Sequence, residues 1–385
     1  MSRPLRLAML THSTNPRGGV VHAMSLCEAL DGLGVETVLH APDAGGGGFF
    51  RKPRCAAIPF PVGTTPRDTA DMVVQRIDDY VRWFRRPENR GFDLYHAHDG
   101  IGANALATLK AEGLISAFVR TVHHVDDFSD PRLVRLQKRS IVEADALMVV
   151  SDLWRRILLE RLSRDAAVGG NGVDGARYSP RADGSEDELR GRLGLGGGPV
   201  FLSIGGVEAR KNTIRILTAF GDVHRARPDT RLVIAGGASL LNHGPYQAAF
   251  GEALSALGDR ASAVSLLGHV ADSDIPGLYR LASALVFASV KEGFGLCVLE
   301  AMASGAPVIV SSIPPFVDYL DPADALWCDP ADSASIAAAM RRALRPDVAA
   351  RLRARGPGVA RRFDWDGVAR RHLPVYQRLL EPAHA

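Results

Sequence analysis

The chain has 385 residues, 46% of them hydrophobic and 23% charged, with a formal net charge of +3. That length exceeds one ordinary core, so two domains are expected. The near-neutral balance argues against a nucleic-acid protein. Four cysteines lie far apart in the chain, which disfavours a zinc or disulfide framework. No apolar run approaches the ~18 residues that span a bilayer.

Residues 1–10 have a basic start but only a short apolar run, which leads straight into Thr11 and His12. They read as a first strand and not as a secretory signal, and a cytoplasmic protein is expected. Further short apolar runs follow at 36–41, 94–98, 118–122 and 146–150, and again at 200–204, 232–235, 264–267, 285–288 and 308–311. They lack polar alternation, as strands buried on both faces of a parallel sheet do. Between them, helix-period stretches such as 21–31, 131–144 and 336–344 supply the crossovers. The pattern predicts two doubly wound α/β domains. The polar, glycine-rich stretch 172–197 reads as the linker between a first domain of 1–171 and a second of 198–365. The tract Gly45–Gly48 reads as a loop, because no helix start follows it.

In the first half, Gly18-Gly19-Val20 sits at a strand-to-helix turn, where a backbone amide can touch a phosphate. His96, His98, His123 and His124 fall at strand C-terminal ends. No acidic or cysteine partner has ligand spacing, so hydrogen bonding to a polar ligand is favoured over metal, with one or two of them held in the core. The segment 131–140 can form a helix with Arg132, Arg135 and Arg139 on one side and Leu133 and Leu136 on another. A crossover helix with solvated arginines is preferred over one resting on anionic lipid.

In the second half, Arg210 and Lys211 precede a helix and can neutralise a diphosphate. Asp272-Ser-Asp274 is better explained by helix capping than by metal binding. The strongest signal is Glu292-Gly-Phe-Gly-Leu-Cys-Val-Leu-Glu300, followed by Ala301-Met-Ala-Ser-Gly-Ala-Pro307. Gly293 and Gly295 permit close backbone approach. A helix is expected to start near Phe294 or Gly295, presenting free N–H groups and a positive dipole end to an anion.

These motifs, in this order, resemble glycosyltransferase family 4, retaining enzymes of the GT-B architecture, over essentially the whole chain. The resemblance rests on Gly18-Gly19-Val20, Asp93-Leu-Tyr-His-Ala-His98, Thr121-Val-His123, Asn171-Gly-Val-Asp174, Arg210-Lys211-Asn212, Leu267-Gly-His-Val270, the Glu292–Glu300 block and Phe363-Asp-Trp-Asp366. It implies two Rossmann-like domains facing across a cleft, the first completed by a C-terminal crossover helix at 366–385. It implies a retaining, metal-independent transfer from a UDP- or GDP-sugar co-substrate to an unidentified acceptor hydroxyl, with no further cofactor. By the same resemblance Glu300 binds the donor ribose. Glu292, Gly293 and the N–H groups of Phe294 and Gly295 hold the transferred sugar, and His123 contacts it. Lys211 and Gly19 meet the diphosphate, and Gly268, His269 and Val270 lie against the base. The catalytic group is thus His123, Lys211 and Glu292. Acceptors in the family include lipid-linked ones, which allows a peripheral contact at the inner membrane face.

Two departures stand out. Gly206 occupies a position where the family usually has arginine, and Arg210 has the reach to supply that cation. Asp318 replaces a common glutamate. A subgroup resemblance also includes residues 236–242. The competing readings are a two-Rossmann nicotinamide oxidoreductase, a pyridoxal-dependent glycan phosphorylase and an inactive nucleotide-sugar-binding protein. The first lacks the glycine fingerprint, the second lacks a lysine in a supporting context, and the third keeps every ligand-holding group.

Overall fold

The computed structural model describes residues 3–237 and 243–381. Residues 238–242 of the subgroup motif and the end of the expected crossover segment, 382–385, lie outside the described residues. The chain divides into two compact units, one of 1–172 with 365–385 and the other of 173–364.

The first unit runs β1 (Arg6–Leu10), α1 (Gly18–Gly32), β2 (Glu36–Asp43), β3 (Ala56–Pro61), α2 (Thr69–Arg85), β4 (Leu94–Ala97), α3 (Gly100–Ala111), β5 (Phe118–Val122), α4 (Pro131–Val142), β6 (Ala146–Val149), α5 (Asp152–Leu162) and β7 (Ala167–Val168). All pairings are parallel, in the order β3-β2-β1-β4-β5-β6-β7. Leu7, Met9, Leu39, Leu94, Val119 and Met148 meet Ala23, Met24, Cys27 and Leu30 of α1 on one face.

The second unit runs α6 (Ser185–Arg192), β8 (Val200–Ile204), α7 (Thr213–Ala226), β9 (Arg231–Ala235), α8 (Gly244–Ser255), β10 (Val264–Gly268), α9 (Ile275–Leu281), β11 (Ala284–Phe287), α10 (Leu296–Ala303), β12 (Val308–Ser311), α11 (Phe316–Tyr319), β13 (Leu326–Cys328), α12 (Ser333–Ala343) and α13 (Pro346–Ala360). Its sheet is parallel in the order β10-β9-β8-β11-β12-β13. Phe201, Leu232, Val286, Ile309 and Leu326 pack against Ile216 and Phe220 of α7 and Ile336 and Met340 of α12. The alternate residues Leu202, Leu285 and Val310 are equally buried, so both faces are covered. This is why the strand sequences show no polar alternation.

α14 (Trp365–Leu380) returns to the first unit. Val368, Ala369, Val375 and Tyr376 complete the core built on α1. The Tyr376 hydroxyl pairs with His96 Nδ1 at 2.8 Å, and His96 Nε2 pairs with Thr121 Oγ1 at 2.7 Å.

The stretch expected as a linker, 172–197, differs from that expectation. Residues 173–197 cluster with the second unit, and 185–192 are helical. Leu189 is buried against Gly277 of α9, and Arg280 ties Asp183 (2.7 Å) and Glu186 to the same helix. One apolar side chain and three charge pairs, the third between Arg192 and Asp274, dock a short polar helix that sequence alone reads as loop. Among the described residues no helix is long and apolar enough to cross a membrane.

Candidate active site

Both sheets reverse their strand order once, and in open parallel sheets the strand C-termini at that point are where ligands bind. In the second unit the switch lies between β8 and β11. The turn after β8 carries Arg210 and Lys211, and the turn after β11 carries Glu292. Their backbones are joined directly, Val290 N–H donating to the Arg210 carbonyl at 3.0 Å. Asn212, held at φ 61°, braces the same corner by donating from Nδ2 to the carbonyls of Ala288 (2.9 Å) and Pro330 (2.7 Å). A left-handed conformation is one that asparagine tolerates better than most residues.

Lys211 Nζ donates to Glu292 Oε1 at 2.7 Å and lies 4.2 Å from the centroid of the Phe287 ring. Arg210 Nη1 donates to the same oxygen. One nearly buried carboxylate therefore gathers two cations, and Arg210 also lies 3.8 Å from the buried Glu208 carboxylate, so its charge is shared between two acids. The Glu292 and Lys211 side chains are 8% and 10% exposed, whereas Arg210 is 38% exposed. Such an arrangement suits an anionic ligand that arrives from solvent and competes for the cations.

Gly295 has φ 93°, and a Cβ there would lie 2.7 Å from Phe316 Cε1, so only glycine fits. α10 begins at the next residue, slightly later than the sequence suggests. No side chain caps it, and its first turn holds no acid. Val298 N–H turns back to the Gly295 carbonyl at 2.9 Å, so the N–H groups this end can offer an anion are those of Leu296 and Cys297. The Phe294 ring is buried in a stack on Tyr319 at 4.5 Å, and the Tyr319 hydroxyl donates to the Phe294 carbonyl. The backbone of Phe294, not its ring, is thus what the turn offers a ligand.

Glu300, on α10, is half-buried. Tyr279 donates to its Oε2 at 2.7 Å, and the Tyr178 hydroxyl bears on the same carboxylate. Burial raises the Glu300 pKa against these bonds and the nearby Arg177 charge. Burial also pushes the Cys297 thiol up to about 12, so it is no nucleophile at neutral pH.

The Gly206 departure has a steric cause. This residue sits at φ 75°, and a Cβ would lie 2.7 Å from the Gly236 carbonyl oxygen. Gly236 N–H in turn donates to the Gly268 carbonyl at 2.7 Å. The turns after β8, β9 and β10 thus touch backbone to backbone and exclude an arginine at 206. His269, just beyond β10, is exposed, and Val270 is half-buried.

Asp272-Ser-Asp274 needs correction. Neither acid caps α9 with its side chain. Asp272 pairs with Arg177 at 2.8 Å, and Asp274 pairs with Arg192. Charge pairing to arginines from the preceding segment replaces the expected capping.

In the first unit the switch lies between β1 and β4. Gly19, in the first turn of α1, lies against His123; a Cβ would meet its Cδ2 at 3.5 Å, which is ordinary contact. His98 Nδ1 and His123 Nε2 are 3.3 Å apart. His22, which sequence reasoning did not single out, joins them, with ring centroids 5.1 Å from His98 and 4.9 Å from His123. Its Nδ1 meets Asn171 Oδ1 at 2.6 Å, and Trp365 packs edge-on at 5.1 Å. Burial depresses the pKa of each: His22 to about 4, His98 and His123 well below the usual range. These rings are neutral at pH 7 and act as hydrogen-bonding groups, not cations. His96 is a core residue with both nitrogens satisfied within the unit, while His124 is exposed beside Asp126. On α4, Leu133 is buried, Arg132 is held by Asp68, Asp71 and Asp130, and Arg139 reaches Thr108. Those contacts are the ones a crossover helix makes.

The profile described as "Glycosyl transferases group 1" matches residues 185–356, and that of the "Glycosyl transferase 4-like domain" matches 17–169. The phosphatidyl-myo-inositol mannosyltransferase of Mycobacterium tuberculosis is 30% identical over 299 residues, covering 74% of each chain. The chain belongs to the group 1 glycosyltransferases. Another relative in the family is the O-antigen chain mannosyltransferase B of Escherichia coli, 29% identical over 274 residues, 68% of this chain and 70% of that one. Among solved structures, Anabaena HepE in complex with UDP-glucose superposes with a TM-score of 0.77 at 16% identity, covering 97% of this chain and 100% of that one. The two Rossmann-like sheets are those of the GT-B glycosyltransferases, and the chain is a glycosyltransferase.

Proposed function

We propose that this glycosyltransferase moves a sugar, with retention of anomeric configuration and without a divalent metal, from a UDP- or GDP-sugar to an acceptor hydroxyl. The observation that carries this reading is the convergence of Lys211 and Arg210 on Glu292 beside the uncapped start of α10. In the transfer, the bond from the anomeric carbon to the diphosphate oxygen breaks. A bond to the acceptor oxygen forms on the same face, and the acceptor proton leaves with the diphosphate. The departing charge is met by Lys211, Arg210 and the α10 N-terminus, which together do the work that a metal ion does elsewhere.

Glu300 accepts from the ribose hydroxyls, and the turn at Gly268, His269 and Val270 lies against the base. Glu292, Gly293 and the backbone of Phe294 and Gly295 hold the sugar, which His123 also contacts. Gly19 gives backbone access to the diphosphate. The names of the relatives, two of them mannosyltransferases, favour a hexose donor, and the UDP-glucose complex of a protein with this fold supports a nucleotide-sugar ligand.

A thermal-shift screen of UDP- and GDP-linked hexoses identifies the donor, because a ligand that binds only the folded state raises its stability. NMR of the released or transferred sugar then reports the anomer. An inverted product, or activity lost in chelator and restored by Mg²⁺ or Mn²⁺, contradicts the proposal.

A further inference from the structure

Glu300 is not held by its own helix alone. Tyr279 comes from α9, is wholly buried, and spends its hydroxyl on Glu300 Oε2 at 2.7 Å. Tyr178 comes from the segment before α6, is 8% exposed, and meets the Tyr279 ring edge-to-face at 5.9 Å. Arg177 lies 5.0 Å from the centroid of the Tyr178 ring. Arg177 is itself fixed by Asp272, which accepts from it both at the carboxylate (2.8 Å) and at the main-chain carbonyl (2.6 Å). One connected set thus runs Asp272, Arg177, Tyr178, Tyr279, Glu300, drawn from four separate stretches of chain. The acid that sequence suggested as a cap or a metal ligand is its anchor.

A carboxylate on an exposed helix face has several rotamers, and ordering it on binding costs free energy. A hydroxyl bonded to one oxygen selects a single rotamer. The lone pairs that Tyr279 and Tyr178 do not occupy remain for a vicinal diol, which can donate two hydrogen bonds. Tyrosine suits this task, since its rigid ring is anchored by burial and its hydroxyl needs a partner there.

We propose that Tyr279 is a positioning residue for donor binding: it fixes the Glu300 carboxylate so that this group reads the 2′ and 3′ hydroxyls of the donor ribose, with Tyr178, Arg177 and Asp272 as its support. The inference rests on Glu300 being the ribose ligand, and the test separates the two claims. Dissociation constants are measured by calorimetry for UDP and GDP and for their 2′,3′-dideoxy forms. The proteins are the full-length chain, Tyr279→Phe, Glu300→Gln and the double variant. Tyr178→Phe serves as a second, milder variant, and thermal melts confirm folding.

The unaltered protein is expected to prefer the ribonucleotide, and Tyr279→Phe to lose about tenfold of that preference while binding the dideoxy form as before. The double variant is expected to lose no more preference than Glu300→Gln alone. A Tyr279→Phe variant that keeps the full preference while Glu300→Gln abolishes it overturns the role of Tyr279 only. So does equal weakening toward both nucleotides, which marks a purely structural role. An unaltered protein with no ribose preference overturns the reading of Glu300 and this inference together.

Discussion

Replacing Glu292 by glutamine is expected to tighten the binding of free nucleoside diphosphate while abolishing transfer. Glu292 Oε1 accepts from both Lys211 and Arg210, so an incoming diphosphate must compete with an internal anion for the same two cations. Placing the diphosphate within reach of Lys211 puts its nearest charge ~6 Å from the carboxylate. At an effective dielectric of ~20, one pair of unit charges at that distance repels by about 3 kcal/mol. Arg210 is 38% exposed, and its share is screened by solvent. The net relief is then roughly 1–2 kcal/mol, an affinity gain of about 5- to 30-fold. The same substitution leaves the buried Lys211 ammonium without its carboxylate, so the free protein loses stability that ligand binding restores. Calorimetric titration of UDP and GDP at low and high salt measures the gain, which shrinks as salt rises. A folded Glu292→Gln protein whose diphosphate affinity is unchanged or weaker refutes the reasoning.

The first unit is expected to lose stability as pH falls below 6.5. The unfolded chain protonates its histidines there, while burial holds His22 near 4, His372 near 3 and His96, His98 and His123 well below the usual range. Arg120 and His124 reinforce the depression at His123. The shift at His22 alone is worth about 3 kcal/mol once the pH is below 4, and urea unfolding across pH 5–7 reads the slope; a flat profile shows that the rings are not buried neutral. Gly206→Ala is expected to cost about 2–4 kcal/mol, from the left-handed backbone and the contact with the Gly236 carbonyl, a loss measurable by denaturant titration. Tyr376→Ala removes a wholly buried ring and its bond to His96, and a loss of about 3–5 kcal/mol is expected. Truncation after residue 364 removes the whole of α14 and is expected to abolish cooperative unfolding of the first unit by circular dichroism.

Much of this was open to reading along the chain because local chemistry and fold agree. Ten of the strands are apolar runs, and for all but the edge strand β10, which stays half-solvated, burial in a parallel sheet follows from composition and length. Glycines beside Glu292 announce a tight turn, and Gly295 does stand where a left-handed residue is required. The other three strands are weak as sequence. β3 carries Pro59 and Pro61 and survives because it lies at the sheet edge, where a missing N–H costs no ladder bond. β7 has two residues and β13 three.

The class of fold, the order of the motifs along both sheets and the cluster of charged and glycine residues at the ends of β8 and β11 follow from local chemistry along the chain. Which side chains meet is settled by packing alone. His22 pairs with Asn171, 149 positions away, and His96 with Tyr376, 280 away. Asp272 braces Arg177 instead of capping a helix, and Gly206 is glycine because a carbonyl from the next strand's turn fills the space beside it. Such partnerships are set by the packing of elements distant in sequence. Periodicity and propensity act over a few residues and carry no information about them.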